Sequence, residues 1–283
     1  MSVSSPSQIV LFILFLPQIL LAAFVLPEGK PLYEVGLFAG AAAAVDYPAS
    51  DQKHFRWLAV PTITYRGNIL KSNREEGTKA LFFNSENFEI SLSGGGSFPV
   101  ESKNNSARKG MPNLDWVLEL GPKINLYFIN RPGDKIFYFY LPFRQLFTTD
   151  FAHFGETGYT VAPGLFYQLD HLSWDFFSFY GTITFNWYDT RANDYFFTVK
   201  KEFETPTRKE YFARSGYSST DLSAAFAVAL KDNLTIFLGI SLYDFSSSAN
   251  SQSPLFKSRN NWSFGTGITY TWLESEIKVY PVR

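Results

Sequence analysis

Three histidines, His54, His153 and His171, are the residues whose chemistry comes first, because imidazole is the commonest general acid or base and a frequent metal ligand. A catalytic histidine must sit beside a nucleophile or a water and be oriented by an acid. His171 stands in Asp170-His171-Leu172-Ser173, where the acid and the hydroxyl are equally the ordinary vocabulary of a tight turn. His54 follows Asp51-Gln52-Lys53 and His153 closes Asp150-Phe151-Ala152-His153; both read as loop residues without a partner at metal-ligand spacing. No nucleotide-binding loop, dinucleotide fingerprint or calcium-loop series is present. Ser93-Gly94-Gly95-Gly96-Ser97 imitates a phosphate cradle, but it ends a strand and opens no helix, so it reads as a bend in a sheet or a crowded place on its inner face. These residues lead to the expectation of no catalytic residue, no cofactor, no metal and no enzyme activity. The chain has no Cys, which excludes disulfides and thiolate metal sites, and its net charge of -1 gives no footprint for nucleic acid.

Three other charges attract attention because of the elements that carry them. Glu119 and Lys123 alternate with Val117, Gly121, Asn125 and Tyr127 on one face of a segment whose other face is Trp116, Leu118, Leu120, Pro122, Ile124, Leu126 and Phe128. Side chains of a strand alternate between two faces, so this is a strand with one apolar side. The same period recurs at 159–169 (with Phe166 out of character on the polar face), 175–187, 222–230, 234–242 and 262–272. The runs last about 10–15 residues, where strands of soluble sandwiches stop near six. Rings stand at their ends: Trp116 and Phe128, Tyr159 and Tyr167, Trp262 and Trp272. Aromatic residues make up 18% of the chain, yet mean hydropathy is only -0.08. Helical membrane proteins are far more apolar, whereas a transmembrane barrel faces rings to lipid and gathers them at both interfaces. A soluble sandwich is the competing architecture. Glu119, Lys123 and Arg144 then point into the lumen, lining a pore or pairing across it; the pairing is the favoured reading, because a barrel of this size lies between filled small barrels and open porins.

The fold expected is all-β: an antiparallel up-and-down transmembrane barrel of twelve strands near 33–45, 54–66, 69–74, 78–83, 88–100, 115–129, 135–149, 156–169, 174–189, 219–231, 234–245 and 261–273, with ten or fourteen as alternatives. Tight turns at Asn84–Asn87, Asn130–Asp134, Asp170–Ser173 and Lys231–Asn233 alternate with long polar connections at Asp46–Lys53, Glu101–Leu114, Arg191–Ser218 and Phe245–Asn261. Outer-membrane barrels place short turns in the periplasm and long loops outside. The rings of 191–218 are too many for a solvated loop and should pack over the barrel mouth, unless the flanking strands simply extend as a hairpin. Residues 1–26 read as a signal peptide cleaved after Ala23, with an uncleaved anchor as the alternative; 27–273 is the barrel and 274–283 a C-terminal extension.

Further motifs resemble the MltA-interacting protein/OmpV family of outer-membrane proteins over essentially the whole mature chain. They are Tyr33 and Gly36; Asp46-Tyr47 with Ser50-Asp51; Tyr65-Arg66-Gly67; Arg108 with Gly110-Met111-Pro112; Glu119 with Gly121-Pro122; and Arg214-Ser215-Gly216. Gly267, Tyr270 and Trp272 resemble the aromatic assembly signal of the last barrel strand. Two departures stand out: the chain continues past that strand, from Leu273 to Arg283, and Glu202 to Arg208 looks inserted. The resemblance implies an outer-membrane location in a Gram-negative bacterium, contact with membrane lipid, and a scaffold role linking a lytic transglycosylase to a peptidoglycan synthase. A diffusion channel or a surface adhesion protein is the alternative.

Overall fold

The structure, a computed structural model, describes residues 30–66, 70–73, 77–129, 134–171 and 176–279, with side chains of 30 and 66–80 excepted. The proposed signal peptide, Gly67 and the Arg66 side chain lie outside what is described.

Among the described residues the strands are β1 (Lys30–Pro31), β2 (Tyr33–Val45), β3 (Lys53–Arg66), β4 (Leu70–Asn73), β5 (Gly77–Asn84), β6 (Phe88–Ser97), β7 (Trp116–Ile129), β8 (Lys135–Thr149), β9 (Phe154–Val161), β10 (Gly164–Leu169), β11 (Phe177–Tyr188), β12 (Gly216–Lys231), β13 (Leu234–Asp244), β14 (Asn260–Glu274) and β15 (Lys278–Val279). Each of β2 to β14 pairs antiparallel with its neighbours, and β14 returns to β2. β9 and β10 share one position, both between β8 and β11, so the sheet closes as a barrel of twelve strand positions. The expected single strand 156–169 is thus broken at Ala162-Pro163, since proline has no N–H to give the ladder. The expected strand 88–100 likewise stops at Ser97, short of Pro99; Val100 makes only a bridge to Leu114. At the β12–β13 hairpin, Asp232 and Asn233 form the two-residue turn between paired Lys231 and Leu234.

The two faces separate as the period requires. Leu222, Leu238, Ile240, Leu242, Phe264, Ile268 and Tyr270 stand exposed on the outer wall. A water-soluble surface does not carry so continuous an apolar belt, whereas lipid solvates it. No helix among the described residues is long and apolar enough to cross a membrane; strands do the crossing.

The inner face is not lined by charged and small residues alone. Toward the tight-turn end it is filled with rings: Phe38, Tyr138, Tyr140, Phe166, Tyr180 and Phe237 are all buried, joined by Ile136, Leu58 and Val60. Phe166, the residue out of pattern, stacks on Tyr138 with centroids 4.7 Å apart. Glycine makes room for these rings: a Cβ on Gly267 would lie 2.5 Å from the Phe38 ring, and one on Gly40 2.7 Å from it. Toward the long-loop end a second buried cluster, including Tyr47, Val100, Leu146, Phe196, Phe197 and Leu255, is built largely from the loops themselves.

The wall is uneven. β4 pairs with β3 only at Tyr65 and Arg66, and β5 reaches β6 only as far as Ser91. Above that level, among the described residues, Lys53–Thr64 and Leu92–Ser97 pair on one side only, leaving a notch at the long-loop end. Arg56 bridges toward it, donating from Nη1 to the Pro99 carbonyl at 2.9 Å.

Beyond β14 the chain does not trail away. β15 pairs antiparallel with β1, with Leu32 N–H donating to the Ile277 carbonyl at 2.8 Å and Ser275 N–H to the Tyr33 carbonyl at 2.9 Å. The C-terminal extension therefore clips the segment that leads into the first barrel strand. Residues 280–283 lie outside what is described.

Candidate functional site

The long loops converge on the barrel mouth and form a lid. Its hub is Asp46, at the end of β2, whose side chain is fully buried. Its carboxylate faces His54 Nδ1 at 2.6 Å and accepts from Arg56 Nη2 at 3.2 Å, both from β3, and from Asn105 Nδ2 at 2.8 Å in the 98–115 connection. A buried carboxylate is tolerated only when paired and hydrogen-bonded, so these contacts tie the two loops together. Asp46 and His54 are eight residues apart in sequence. By sequence alone His54 is a loop residue without a partner; no motif spacing marks the pair, and only the hairpin brings it together.

Tyr47, next in sequence, is buried and donates from its hydroxyl to the Leu255 carbonyl at 2.8 Å. Burial raises its phenol above the usual range, against the pull of nearby Arg108. Arg108 is buried in turn and donates to the carbonyls of Phe196 and Pro112, each at 3.3 Å. Burial lowers its guanidinium from the ordinary value. These contacts carry the lid onto α1 (Thr190–Phe197), which Asp189 caps by accepting from Ala192 N–H at 2.9 Å. Tyr195 of α1 accepts from Asp115 N–H at 2.6 Å, and burial pushes its hydroxyl up to about 12. The residues that looked inserted, 202–208, form a turn locked by Arg208, which donates to the carbonyls of Phe203, Ala107 and Lys109. Asn193 and Asn250 both donate to the Arg214 carbonyl, at 2.8 and 2.9 Å. Tyr195, Phe196, Phe197, Phe203 and Tyr211 thus pack into the lid over the mouth, whereas Phe212 stays 66% exposed; the extended hairpin is not what forms.

The family-motif residues sort by position. Asp46, Tyr47, Ser50 and Asp51, Arg108 with Gly110, Met111 and Pro112, and Arg214 with Ser215 and Gly216 all come together in or beside the lid. Gly110 and Gly216 have φ of +83° and +143°, conformations that side chains resist. Tyr33 and Tyr65 face each other across β2 and β3 near the tight-turn end. Gly36 lies against the Tyr270 carbonyl, and Gly121, before Pro122, against the backbone of Phe143. Of the assembly-signal residues, Gly267 faces inward beneath Phe38 while Tyr270 and Trp272 face lipid.

The three expected lumen charges do point inward. Arg144 Nη1 lies 3.3 Å from Glu119 Oε2, and Arg144 Nε donates to Ser93 Oγ at 3.1 Å. A Cβ on Gly95 would come within 3.0 Å of Glu119 and 3.1 Å of Arg144, so the Gly-rich run is where the lumen is crowded. Lys123 is buried on the same face of β7. His153 pairs with Asp150 at 3.2 Å and His171 lies 3.7 Å from Asp134. No group of three or more His, Asp or Glu that could hold a metal ion occurs among the described residues.

Between ring layer and lid lies a cavity of about 230 Å³. Its floor and walls come from β2, β6, β7 and β11 to β14, and Tyr47, Phe196 and Phe245 close it on the lid side.

A closed antiparallel barrel with an apolar outer belt, a filled waist and a loop lid defines an outer-membrane β-barrel protein. Its sequence matches the family model of MltA-interacting protein MipA over residues 35–272, and the chain belongs to that family. No curated protein matches the sequence. Among solved structures it is similar to the NanC porin (8% identity, TM-score 0.39, covering 84% of this chain and 100% of that one). It is also similar to OprB of Pseudomonas putida (8% identity, TM-score 0.38, 86% and 94%).

Proposed function

We propose that this protein is a non-catalytic outer-membrane anchor whose barrel is closed to free diffusion and whose partners meet it at its ends. The observation that carries this reading is the ring layer, Phe38, Tyr138, Tyr140, Phe166, Tyr180 and Phe237, buried across the tight-turn half of the lumen. A lumen packed with side chains does not conduct. The lid supplies a second barrier.

The family's name supports a lytic transglycosylase as partner, and a peptidoglycan synthase would complete a scaffold. Such partners work in the periplasm, where the tight turns of an outer-membrane barrel face. Those turns are short, and an interface of ordinary size needs about 800 Å² per partner. The β1–β15 clip enlarges the surface at that end, with Ile277 63% exposed on it. Affinity capture from detergent, with the full chain and with a chain ending at Glu274, tests the proposal. Enrichment of a murein enzyme by the full chain, weakened by truncation, is the expected result. No murein enzyme enriched with the full chain refutes the scaffold role.

A further inference from the structure

We propose that the cavity beneath the lid is a binding site for a small organic ammonium ion carrying a compact apolar body. The inference is independent of the scaffold reading. The acceptor is Asp221, on the inner face of β12. Its carboxylate takes hydrogen bonds from Asn186 Nδ2 at 2.8 Å and Ser219 Oγ at 2.7 Å, both neutral donors. The other two carboxylates that line the cavity are already matched with cations, Glu119 with Arg144 and Asp46 with Arg56. No Lys, Arg or His lines the cavity, so Asp221 has no protein cation there. Asp221 is half-buried, and a carboxylate largely withdrawn from water is stabilised by a cation or a proton.

A second observation points the same way. Ser218, the extra residue of the β-bulge in β12, is 2% exposed and lines the same cavity. Its hydroxyl has no hydrogen-bond partner. A buried polar group without a partner is costly, and a bound molecule is one way to satisfy it. Around these polar groups stand the rings of Phe98, Tyr188, Tyr243 and Phe245. Aromatic faces attract cations, most strongly where water is excluded. The volume selects size: a dry cavity of about 150 Å³ holds benzene, so 230 Å³ suits a ligand only modestly larger. Gly96, Ser97 and Phe98 of the cavity wall lie beside the stretch of β6 that pairs on one side only among the described residues.

Benzylamine, protonated at neutral pH, and its neutral isostere benzyl alcohol are the probes. Titration calorimetry on the full chain in nanodiscs should show benzylammonium binding at least about tenfold tighter than the alcohol, because a charge-assisted hydrogen bond is the stronger one. Asp221→Asn keeps the shape and should abolish that preference, whereas Lys278→Ala, at the far end of the barrel, should keep it. Equal binding of the two probes, binding of neither, or an undiminished preference in Asp221→Asn overturns the proposal. Should Asp221→Asn fail to fold, the comparison of the two probes on the unaltered chain decides alone.

Discussion

Asp46→Ala should loosen the lid without unfolding the barrel. The carboxylate is fully buried and holds three groups: His54, Arg56 and Asn105. Removing one partner of a buried charge pair costs about 3–5 kcal/mol, because the remaining charge is left without compensation. Two features put Asp46 at the lower end. The His54 side chain is 45% exposed, so water can replace what it loses, and the Arg56 side chain retains 16% exposure and its bond to Pro99. About 3 kcal/mol taken from the local opening free energy of the lid corresponds to a roughly 150-fold rise in its opening equilibrium. Amide hydrogen exchange in nanodiscs reads this directly. The reporters are Asn105, Arg108 and Met111 N–H, which donate to Ser102, Asn105 and Arg108 carbonyls in the tethered connection. Their exchange should accelerate by about that factor, while the ladder amides of β12 and β13 stay protected. His54→Ala should produce a much smaller change, below about 1 kcal/mol, as exposed pairs do. Unchanged exchange at the three reporters in Asp46→Ala would refute the claim that this carboxylate holds the lid.

Four other outcomes follow from the same geometry. Glu119→Ala combined with Lys123→Ala should leave planar-bilayer conductance at background, because the ring layer still blocks the lumen, whereas Phe38→Ala with Tyr138→Ala and Phe166→Ala should raise it; stable openings from the charge variant alone would place the barrier elsewhere. Gly267→Ala should destabilise the barrel by about 1–3 kcal/mol in urea titrations by overpacking the Phe38 ring, and the penalty should largely vanish in a Phe38→Ala background; additive losses would mean the two residues do not press on each other. The Asp150 carboxyl is held at about 2 by the N–H of His153, then its ring, and the N–H of Ala152; a folded value below the ordinary ~3.9 stabilises the turn fully above that pH, and the effect is lost as pH falls through 2, so an NMR titration finding a midpoint near 3.9 would contradict the turn geometry. Trypsin added to intact cells should cut after exposed Lys201 or Lys209 and spare buried Arg208; cleavage only after the outer membrane is permeabilised would reverse the orientation of the barrel.

By itself the sequence determined the wall. Period-two alternation placed β2 and β8 with the bounds observed and β7 within one residue of them, because a strand in lipid must present one apolar face throughout its length and a slip of one residue would invert it. It also determined which way Glu119, Lys123 and Arg144 point, but not how they pair: Glu119 meets Arg144 between the neighbouring strands β7 and β8, not across the lumen, and the ring layer does the filling. Proline chemistry accounts for its errors at β6 and at β9–β10, where a period alone does not register a missing N–H. The tertiary structure decided everything that depends on strands meeting across the lumen. Phe166 stands out in the sequence only as an exception to the period; closure of the sheet stacks it with Phe38, Tyr138 and Phe237 into a layer. Asp46, Asn105, Arg108 and Phe196 are far apart in the chain, and no local pattern announces that they share one buried site. Asp221 is one polar residue among the serines and alanines of β12 in sequence; the fold surrounds it with rings and brings no cation to its cavity. Inward-facing side chains take their neighbours from the whole circumference, so their chemistry is set by curvature and register rather than by adjacency in sequence.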